Sequence, residues 1–392
     1  MTTLVTQTAP IANDTHGGRA KCLQRLVRLD LPVPRTVALP FDAVHDIARG
    51  HMPDLQAVAD EFPQDALLCV RPSSQDPDWG GPGAVLNIGM NDARFKEYCA
   101  RMGEGPASAL YTRFVQSYAV NVARLDPDMF DDVIGDGRDA LDQSLRAYEL
   151  ETEETFPQDR VTQLTAVLSS MARAWEGTSA RLLRQAKGAP ADAGLGLIVQ
   201  QMAFGVGTGL CGSGVLQLVD SDSGLPQITG RYLSQSQGRD ALQSDADAMY
   251  LTCDPRGQSL EEHAPEAFET LKQHAELMRV RLRAEMQLEF VISDGELFIL
   301  DGVRVSRSSR AAVRIAVALA DEGIISREEA LMRVQPRTLT ELLHRQVDPR
   351  AKRDVIGRGI AASPGAATGK IVFNANDAQA SASRGEACIL VR

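Results

Sequence analysis

Two acidic residues near the C-terminal end of the core lie in a segment with the pattern of a β-hairpin. The runs Gln287–Ile292 and Leu297–Asp301 are rich in apolar residues, and the Asp294-Gly295 pair between them favours a two-residue turn. Glu289 falls on the first strand and Asp301 on the second. A carboxylate on each of two paired strands can hold Mg²⁺ against a nucleotide triphosphate. The alternative is a solvated hairpin with ordinary edge charges.

The register of this hairpin decides whether the two carboxylates can act together. Successive side chains along a strand point to opposite faces of the sheet. A simple two-residue turn at Asp294-Gly295 would therefore place Asp301 on the face opposite Glu289. A β-bulge or a three-residue loop is needed to bring them to the same face.

Size and composition limit the classes of protein that fit. The 392 residues, 44% of them apolar, predict two or three domains with ample core. A net charge of −11 argues against general nucleic-acid binding, although a local basic pocket for phosphate stays open. No apolar run is long enough for a membrane span and the N-terminus lacks a signal-peptide pattern, so we expect a cytoplasmic protein. The six cysteines form no CxxC pair, which favours reduced thiols.

Apolar periodicity and turn residues predict a mixed order of helices and strands. Helices are expected at 18–29, 107–122, 158–186, 260–284 and 310–322. Strands are expected at 37–39, 66–70, 196–204, 214–219 and 227–233, with the glycines after residue 204 indicating a meander. The stretch 207–212 fits G-x-G-x-x-G, but a strand follows it where a dinucleotide site needs a helix.

Four segments carry a resemblance to a known family because of their order along the chain. They are Gly17-Gly18-Arg19, Val70-Arg71 before a glycine-rich loop, 199–202 before the glycine loop 205–214, and the carboxylate hairpin. This set resembles the N-terminal nucleotide-binding part of pyruvate phosphate dikinase and phosphoenolpyruvate synthase. The segment 357–372 is similar to the start of that family's swivelling phosphohistidine domain. The resemblance covers nearly the whole chain and implies an α+β, ATP-grasp-like fold.

The resemblance also implies a domain division. Residues 1–195 would form the first ATP-grasp lobe, with a helical insert at about 105–190. Residues 196–344 would form the second lobe, which carries the hairpin 287–301. A linker at 345–356 would lead to a partial swivelling domain at 357–392.

The family pattern assigns candidate roles to nine residues. Phosphates would be held by Arg19, Arg71 and Arg113, and the adenine pocket would be lined by Gln200 and Met202. Gly212 and Gly214 would belong to the mobile glycine loop, and Glu289 and Asp301 would bind Mg²⁺.

The chain departs from the family pattern at positions that matter for chemistry. Arg19 stands where the family has lysine, which exchanges a compact ammonium for a planar guanidinium. Two family glutamates are replaced by Arg231 and Arg239, and the family's F-T-R-N-P segment is replaced by 217–221. In the hairpin, the family's aspartate, glutamine and arginine are replaced by Gln287, Asp301 and Val303.

These features leave more than one function open. No Thr-Ser-x-His element is present, so the family's phosphorylated histidine is missing, as is its pyruvate-binding barrel. One hypothesis is an ATP-binding phosphotransferase component that passes phosphate to a histidine domain on a separate chain. The alternative is a degenerate, non-catalytic relative that acts as a binding or regulatory module. A third reading is a truncated fragment without an independent role.

Overall fold

The structure, a computed structural model, describes residues 2–131, 133, 137–237, 248–344, 347–348, 351–352, 354–355, 357 and 366–391. The chain divides into two compact units. The first contains Met1–Val219 and Gln227–Val305, and the second contains Asp220–Pro226 and Ser306–Arg392. Within the described ranges, no helix combines the length and apolar character that a bilayer crossing requires.

A five-stranded antiparallel sheet forms the frame of the first unit. Its order is β1-β2-β5-β3-β4, with the strands Thr3–Leu4, Thr36–Leu39, Leu195–Gln201, Leu68–Ser74 and Val85–Ile88. The meander predicted from the glycines after residue 204 is wrong, because β5 (Leu195–Gln201) pairs with β2 and β3 rather than with the next strand. Its continuous apolar run is typical of a central strand buried on both faces.

Helices cover one face of this sheet. They are α2 (Phe41–Ala48), α3 (Leu55–Asp60), α4 (Asp92–Met102), α5 (Glu104–Tyr118), α6 (Arg138–Thr152), α7 (Arg160–Glu176) and α8 (Thr178–Ala186). The helix predicted at 158–186 is therefore two helices, separated at Gly177. Between these helices, Phe156 meets the rings of Tyr111, Phe114 and Tyr118 edge to face at 5.3–5.9 Å, which closes the core of the helical layer.

A second sheet and three more α-helices complete the described part of the first unit. The sheet order is β7-β6-β8-β9, with the strands Pro226–Ser234, Gly212–Val219, Met286–Ser293 and Glu296–Arg304. The helix predicted at 260–284 is split into α9 (Leu260–His263) and α10 (Pro265–Leu282), with proline at the first position of α10. One core joins α10, α1 (Asn13–Arg28), the second sheet and the residues of the first sheet that face away from the helical layer.

The predicted hairpin is confirmed as the β8–β9 pair, and it contains a bulge. Asp294 (φ 49°) and Gly295 (φ 86°) form a tight turn with two positive φ angles, as a two-residue hairpin requires. From the turn, the register runs to Phe290 opposite Ile299 and then shifts, so that Glu289 lies opposite Asp301. The extra residue is Leu300, and the predicted need for a bulge is met.

In its described residues, the second unit has three helices and a small β-α-β element. The helices are α11 (Ser309–Asp321), α12 (Arg327–Arg333) and α13 (Pro336–Leu342), and the parallel strands β10 (Lys370–Val372) and β11 (Cys388–Leu390) flank α14 (Ala375–Ser383). Ser326 caps α12, since its side chain accepts the Glu329 N–H at 3.1 Å. Much of the predicted linker, and positions 358–365 of the family-like segment, lie outside the described residues.

Gly214 offers a test of how the second sheet packs. A Cβ at this position would lie 2.6 Å from the Arg231 carbonyl oxygen and would collide with the Phe290 ring. We expect Gly214→Ala to lower the free energy of unfolding by about 1–3 kcal/mol, measured by urea denaturation. Gly105→Ala is the control, because a Cβ there meets nothing within 4 Å and alanine favours a helix. A Gly214→Ala variant as stable as the wild type would contradict this packing.

Candidate functional site: an arginine–carboxylate network

Arg71 reaches from the first sheet to the second. It lies on β3 next to Val70, which packs in the helical core, so alternation turns Arg71 to the other face. Its Nη2 donates to Glu289 Oε2 at 2.6 Å, and its Nη1 donates to the Leu300 carbonyl at 2.9 Å. Leu300 is the bulge residue, to which the register of the ladder gives no opposite residue, and Arg71 donates to its carbonyl.

Arg19 is placed by a turn that only glycine fits. Gly17 has φ 83°, and a Cβ there would collide with the Ser73 carbonyl. The Ser73 hydroxyl donates to the His16 carbonyl at 2.7 Å and accepts the Ala20 N–H at 3.0 Å. These contacts hold the start of the regular helix against β3, and they position Arg19 beside the hairpin.

The four side chains form one network of alternating charge. Arg19 Nε donates to Asp301 Oδ2 at 2.6 Å, and its Nη1 donates to the Pro72 carbonyl. Arg71 pairs with Glu289 and also lies 3.8 Å from Asp301. Two cations and two anions leave the network formally neutral, and removing one partner of such a buried pair costs about 3–5 kcal/mol.

Burial and the guanidinium groups oppose each other in setting the pKa of Asp301. The side chain is 1% exposed, and this burial by itself would raise its pKa. The charges of Arg19 and Arg71, the hydrogen bond from Arg19 and the Gly302 N–H outweigh it and hold the pKa below the ordinary value. For Arg71, burial would lower the pKa, but Glu289 and Asp301 raise it. Asp301 and Arg71 are therefore charged at neutral pH.

The predicted candidates fall into separate places. The structure brings Arg19, Arg71, Glu289 and Asp301 together, whereas Arg113 on α5 donates to the Gln237 carbonyl, in the segment after β7. Their assigned roles stay predictions.

A buried amide pair that sequence reasoning missed lies beside Arg113. Asn87, fully buried, and Gln237 bond reciprocally through their side chains at 2.9 and 3.3 Å, and Asn87 Nδ2 also donates to the Leu110 carbonyl at 3.0 Å. Asn87 has φ 63°, a conformation that asparagine tolerates better than most residues. An asparagine inside a strand-like run was the one available sequence signal.

The two residues predicted to line an adenine pocket lie at the end of β5. Gln200 is buried, and its Nε2 donates to Thr36 Oγ1 at 2.9 Å. Met202 follows the strand; its N–H donates to the Leu67 carbonyl at 2.9 Å, and its side chain packs partly against the helical core. The structure thus gives Gln200 a role in the sheet, and a nucleotide role for either residue stays a prediction.

The glycine loop ends earlier than predicted. Gly212 and Gly214 lie in β6, opposite Ile292 and Phe290, so the loop expected over 205–214 is wrong in its last part. A side chain at either glycine would collide with an aromatic ring, that of Tyr232 or Phe290. These glycines therefore allow close packing of the rings on the strand, and their predicted contact with phosphate stays a prediction.

The loop that remains is tied to its surroundings. The Gly207 N–H donates to Gln235 Oε1 at 3.0 Å, and the Gly295 N–H donates to the Leu210 carbonyl at 2.9 Å. Cys211 Sγ accepts the Asp294 N–H at 3.2 Å. The hairpin turn and Gln235, the residue after β7, thus hold the loop in place. Strand β6 follows it, as the argument against a dinucleotide site predicted.

Arg231 lies on the carboxylate face of the second sheet, which is the face that bears Glu289 and Asp301. Its neighbour Tyr232 is buried and stacks on Phe290 with centroids 6.2 Å apart, so alternation turns Arg231 to the opposite face. Glu289, next to Phe290, is on that face as well. The sign change noted in the sequence therefore adds a cation to the surface that bears the acids. Arg239 lies outside the described residues.

Four of the departures from the family pattern form two contacting pairs. Arg19, which replaces lysine, binds Asp301, which replaces glutamine. Gln287, which replaces aspartate, lies directly across the ladder from Val303, which replaces arginine. Where the family has lysine and glutamine, this chain has the oppositely charged Arg19 and Asp301. Where the family has aspartate and arginine, it has the uncharged Gln287 and Val303.

The chemistry of the two acids suits a hard cation, but both acids already have partners. Carboxylate oxygens are the donors that Mg²⁺ prefers. Asp301 uses both oxygens, toward Arg19 and the Gly302 N–H, and Glu289 Oε2 accepts from Arg71. Within the described ranges, no group of three or more histidine, cysteine, aspartate or glutamate residues could hold a metal. An ion at this pair would therefore take its remaining ligands from water or from a nucleotide.

The two sheets, the helix that packs on both and the carboxylate hairpin define an α+β fold consistent with an ATP-grasp-like nucleotide-binding part. No family model matches the chain. It is 31% identical over 421 residues to "Pyruvate, phosphate dikinase" of Rhizobium meliloti (strain 1021), which covers 97% of this chain and 47% of that protein. The enzyme of Clostridium symbiosum is 28% identical over 416 residues, 96% of this chain and 47% of its own. "Pyruvate, phosphate dikinase 2" of Oryza sativa subsp. japonica is 28% identical over 415 residues, with coverages of 97% and 46%.

These matches relate the chain to the N-terminal part of the pyruvate, phosphate dikinase family, so the resemblance seen in the sequence is confirmed. The chain spans about half the length of the curated relatives it matches.

His16, just before the Gly17 turn, makes folding sensitive to pH. Its side chain is buried, and its Nε2 has no hydrogen-bond partner among the described residues. Burial lowers the pKa of His16, although Asp42 partly opposes this effect. A lowered pKa in the folded state means that the unfolded state binds more protons below about pH 6.5. Stability should therefore fall as the pH drops from about 6.5 toward the folded pKa.

We expect His16→Gln to reduce this slope, measured by urea unfolding between pH 7.5 and 5. Burial also lowers the pKa of His274, so adding His274→Gln should flatten the profile further. An unchanged slope in His16→Gln would contradict the assignment.

Proposed function

We propose that this chain is an ATP-binding component of a phosphotransferase, of the kind found in the N-terminal half of pyruvate, phosphate dikinase. The observation that carries the proposal is the network in which Arg71 of one sheet meets Glu289 and Asp301 of the other. A triphosphate needs cations for its oxygens and acids for its metal, and this network holds both in one place. The similarity to the dikinases supports the same function.

Each side chain then has a defined task. Arg19 and Arg71 would hold phosphate oxygens with their guanidinium groups, and Arg113 would hold a further phosphate from the helical insert. Glu289 and Asp301 would bind Mg²⁺, which when bound neutralises the phosphate charge. Gln200 and Met202 would line the adenine side, while Gly212 and Gly214 would support the loop over the phosphates.

The phosphoryl group would pass to a histidine on a separate chain. This sequence contains no Thr-Ser-x-His element to receive it. In the proposed reaction, a histidine nitrogen attacks a phosphorus atom of ATP, and the bond to the leaving phosphate oxygen breaks.

A second candidate function is nucleotide-dependent regulation without catalysis. It is favoured by the direct pairing of both acids with arginines and by Arg231 on the carboxylate face. In that case ATP would bind and change how the chain interacts with a partner, with no transfer of phosphate.

Isothermal titration calorimetry with MgATP tests nucleotide binding. We expect Glu289→Gln to weaken binding by at least about tenfold, or about 1.4 kcal/mol, because it removes a metal ligand. Glu285→Gln is the matched control, since Glu285 is also buried and pairs with Arg279 at 2.5 Å. It should bind MgATP like the wild type. No binding heat from a folded wild-type protein would refute the proposal.

Transfer in trans separates the two candidate functions. ATP labelled with ³²P at the β or the γ position is incubated with this chain and a separate phosphohistidine domain. The phosphotransferase proposal expects acid-labile label on the domain, and none on the same domain with its histidine replaced by alanine. Binding of MgATP without transfer of label would favour the regulatory function.

A further inference from the structure

The acids of the network already accept hydrogen bonds from cationic groups. Asp301 Oδ2 takes the Arg19 Nε–H at 2.6 Å, and its Oδ1 takes the Gly302 N–H at 2.8 Å. Glu289 Oε2 takes the Arg71 Nη2–H at 2.6 Å. A divalent cation approaching this pair would meet the positive charges of Arg19 and Arg71, at a site of low exposure where such repulsion is poorly screened.

Arg19 is the more movable of the two arginines. Its side chain is 20% exposed, against 12% for Arg71. Arg71 bridges the sheets through Glu289 and the Leu300 carbonyl, so its displacement would open the bulge. Arg19 contacts the second sheet through Asp301. Arg71 already lies 3.8 Å from that acid, so Asp301 would keep a cation beside it if Arg19 turned away.

We propose that Arg19 blocks the metal site of this chain until a polyphosphate draws its guanidinium away from Asp301. A divalent cation then binds together with the nucleotide and not before it. This inference concerns the site assumed in the proposed function, but it makes a claim about the protein without nucleotide. Buried Asp301 keeps a positive neighbour at every stage: Arg19 and Arg71 first, then the cation and Arg71. The exchange therefore avoids leaving a buried carboxylate uncompensated.

Binding of Mn²⁺ in the absence of nucleotide tests the inference. Mn²⁺ takes the same oxygen ligands as Mg²⁺, and its free concentration is read from its electron paramagnetic resonance signal. We expect no saturable binding of Mn²⁺ to the wild-type chain at concentrations where Arg19→Gln binds one equivalent. The gain in affinity in Arg19→Gln should be at least about tenfold.

Two further variants assign the gain to this pair of acids. Arg19→Gln with Asp301→Asn should lose the gained binding, because one of the two carboxylates is gone. Arg279→Gln removes the arginine partner of Glu285, a buried acid elsewhere in the same unit, and this variant should gain no affinity for Mn²⁺. Binding that persists in the double variant would place the ion elsewhere and overturn the inference.

A folding control keeps the test decisive. If circular dichroism shows that Arg19→Gln is unfolded, Arg19→Lys takes its place, since an ammonium keeps the charge but lacks the planar fork. A smaller but measurable gain is then expected. Wild-type protein that binds Mn²⁺ as tightly as the folded variant overturns the inference, as does a folded variant without any gain. Because no nucleotide is present, failure here is distinct from a failure to bind MgATP.

Discussion

The contact between Arg71 and the bulge at Leu300 is the constraint on which the site depends. The bulge turns Asp301 to the face of Glu289, and Arg71 donates to the carbonyl of the bulge residue Leu300. Without the extra residue, Asp301 would point into the apolar core, where an ionised carboxylate is costly. A single inserted residue in one strand thus creates the acid pair and also docks the two sheets of the first unit.

The departures from the dikinase pattern are easier to understand as contacts than as separate substitutions. Arg19 and Asp301 changed at positions that touch, and Gln287 and Val303 changed at positions that face each other across the ladder. Four positions of the hairpin (287, 289, 301 and 303) and the two arginine positions (19 and 71) together carry a net charge of zero. The net charge of the same six positions in the family pattern is more positive by one. A network that is neutral by itself needs no ion to be stable, which is compatible with a phosphotransferase that waits for its nucleotide and with a regulatory relative.

Local signals in the sequence were sufficient for some elements and insufficient for others. Asp294-Gly295 predicted the hairpin because two adjacent positive φ angles are encoded in the turn residues themselves. The pairing of β5 with β2 and β3 was missed, because strand partners far apart in sequence leave no local pattern. Gly212 and Gly214 suggested a loop, since glycine signals backbone freedom and close packing equally well. The reciprocal amide pair of Asn87 and Gln237 joins segments 150 residues apart and had no counterpart in periodicity.

The sequence by itself determined which groups are available: two acids on a hairpin, Arg19 after two glycines, and Arg71 after an apolar strand. The order of these segments along the chain was what made the similarity to the dikinases specific. It also determined that a bulge was necessary, since strand geometry fixes the parity of side chains. Only the tertiary structure decided where the bulge lies, and that each acid is already bound to an arginine. These outcomes depend on distances between segments that are 218 and 282 residues apart, and such distances are set by how the two sheets and the intervening helix pack.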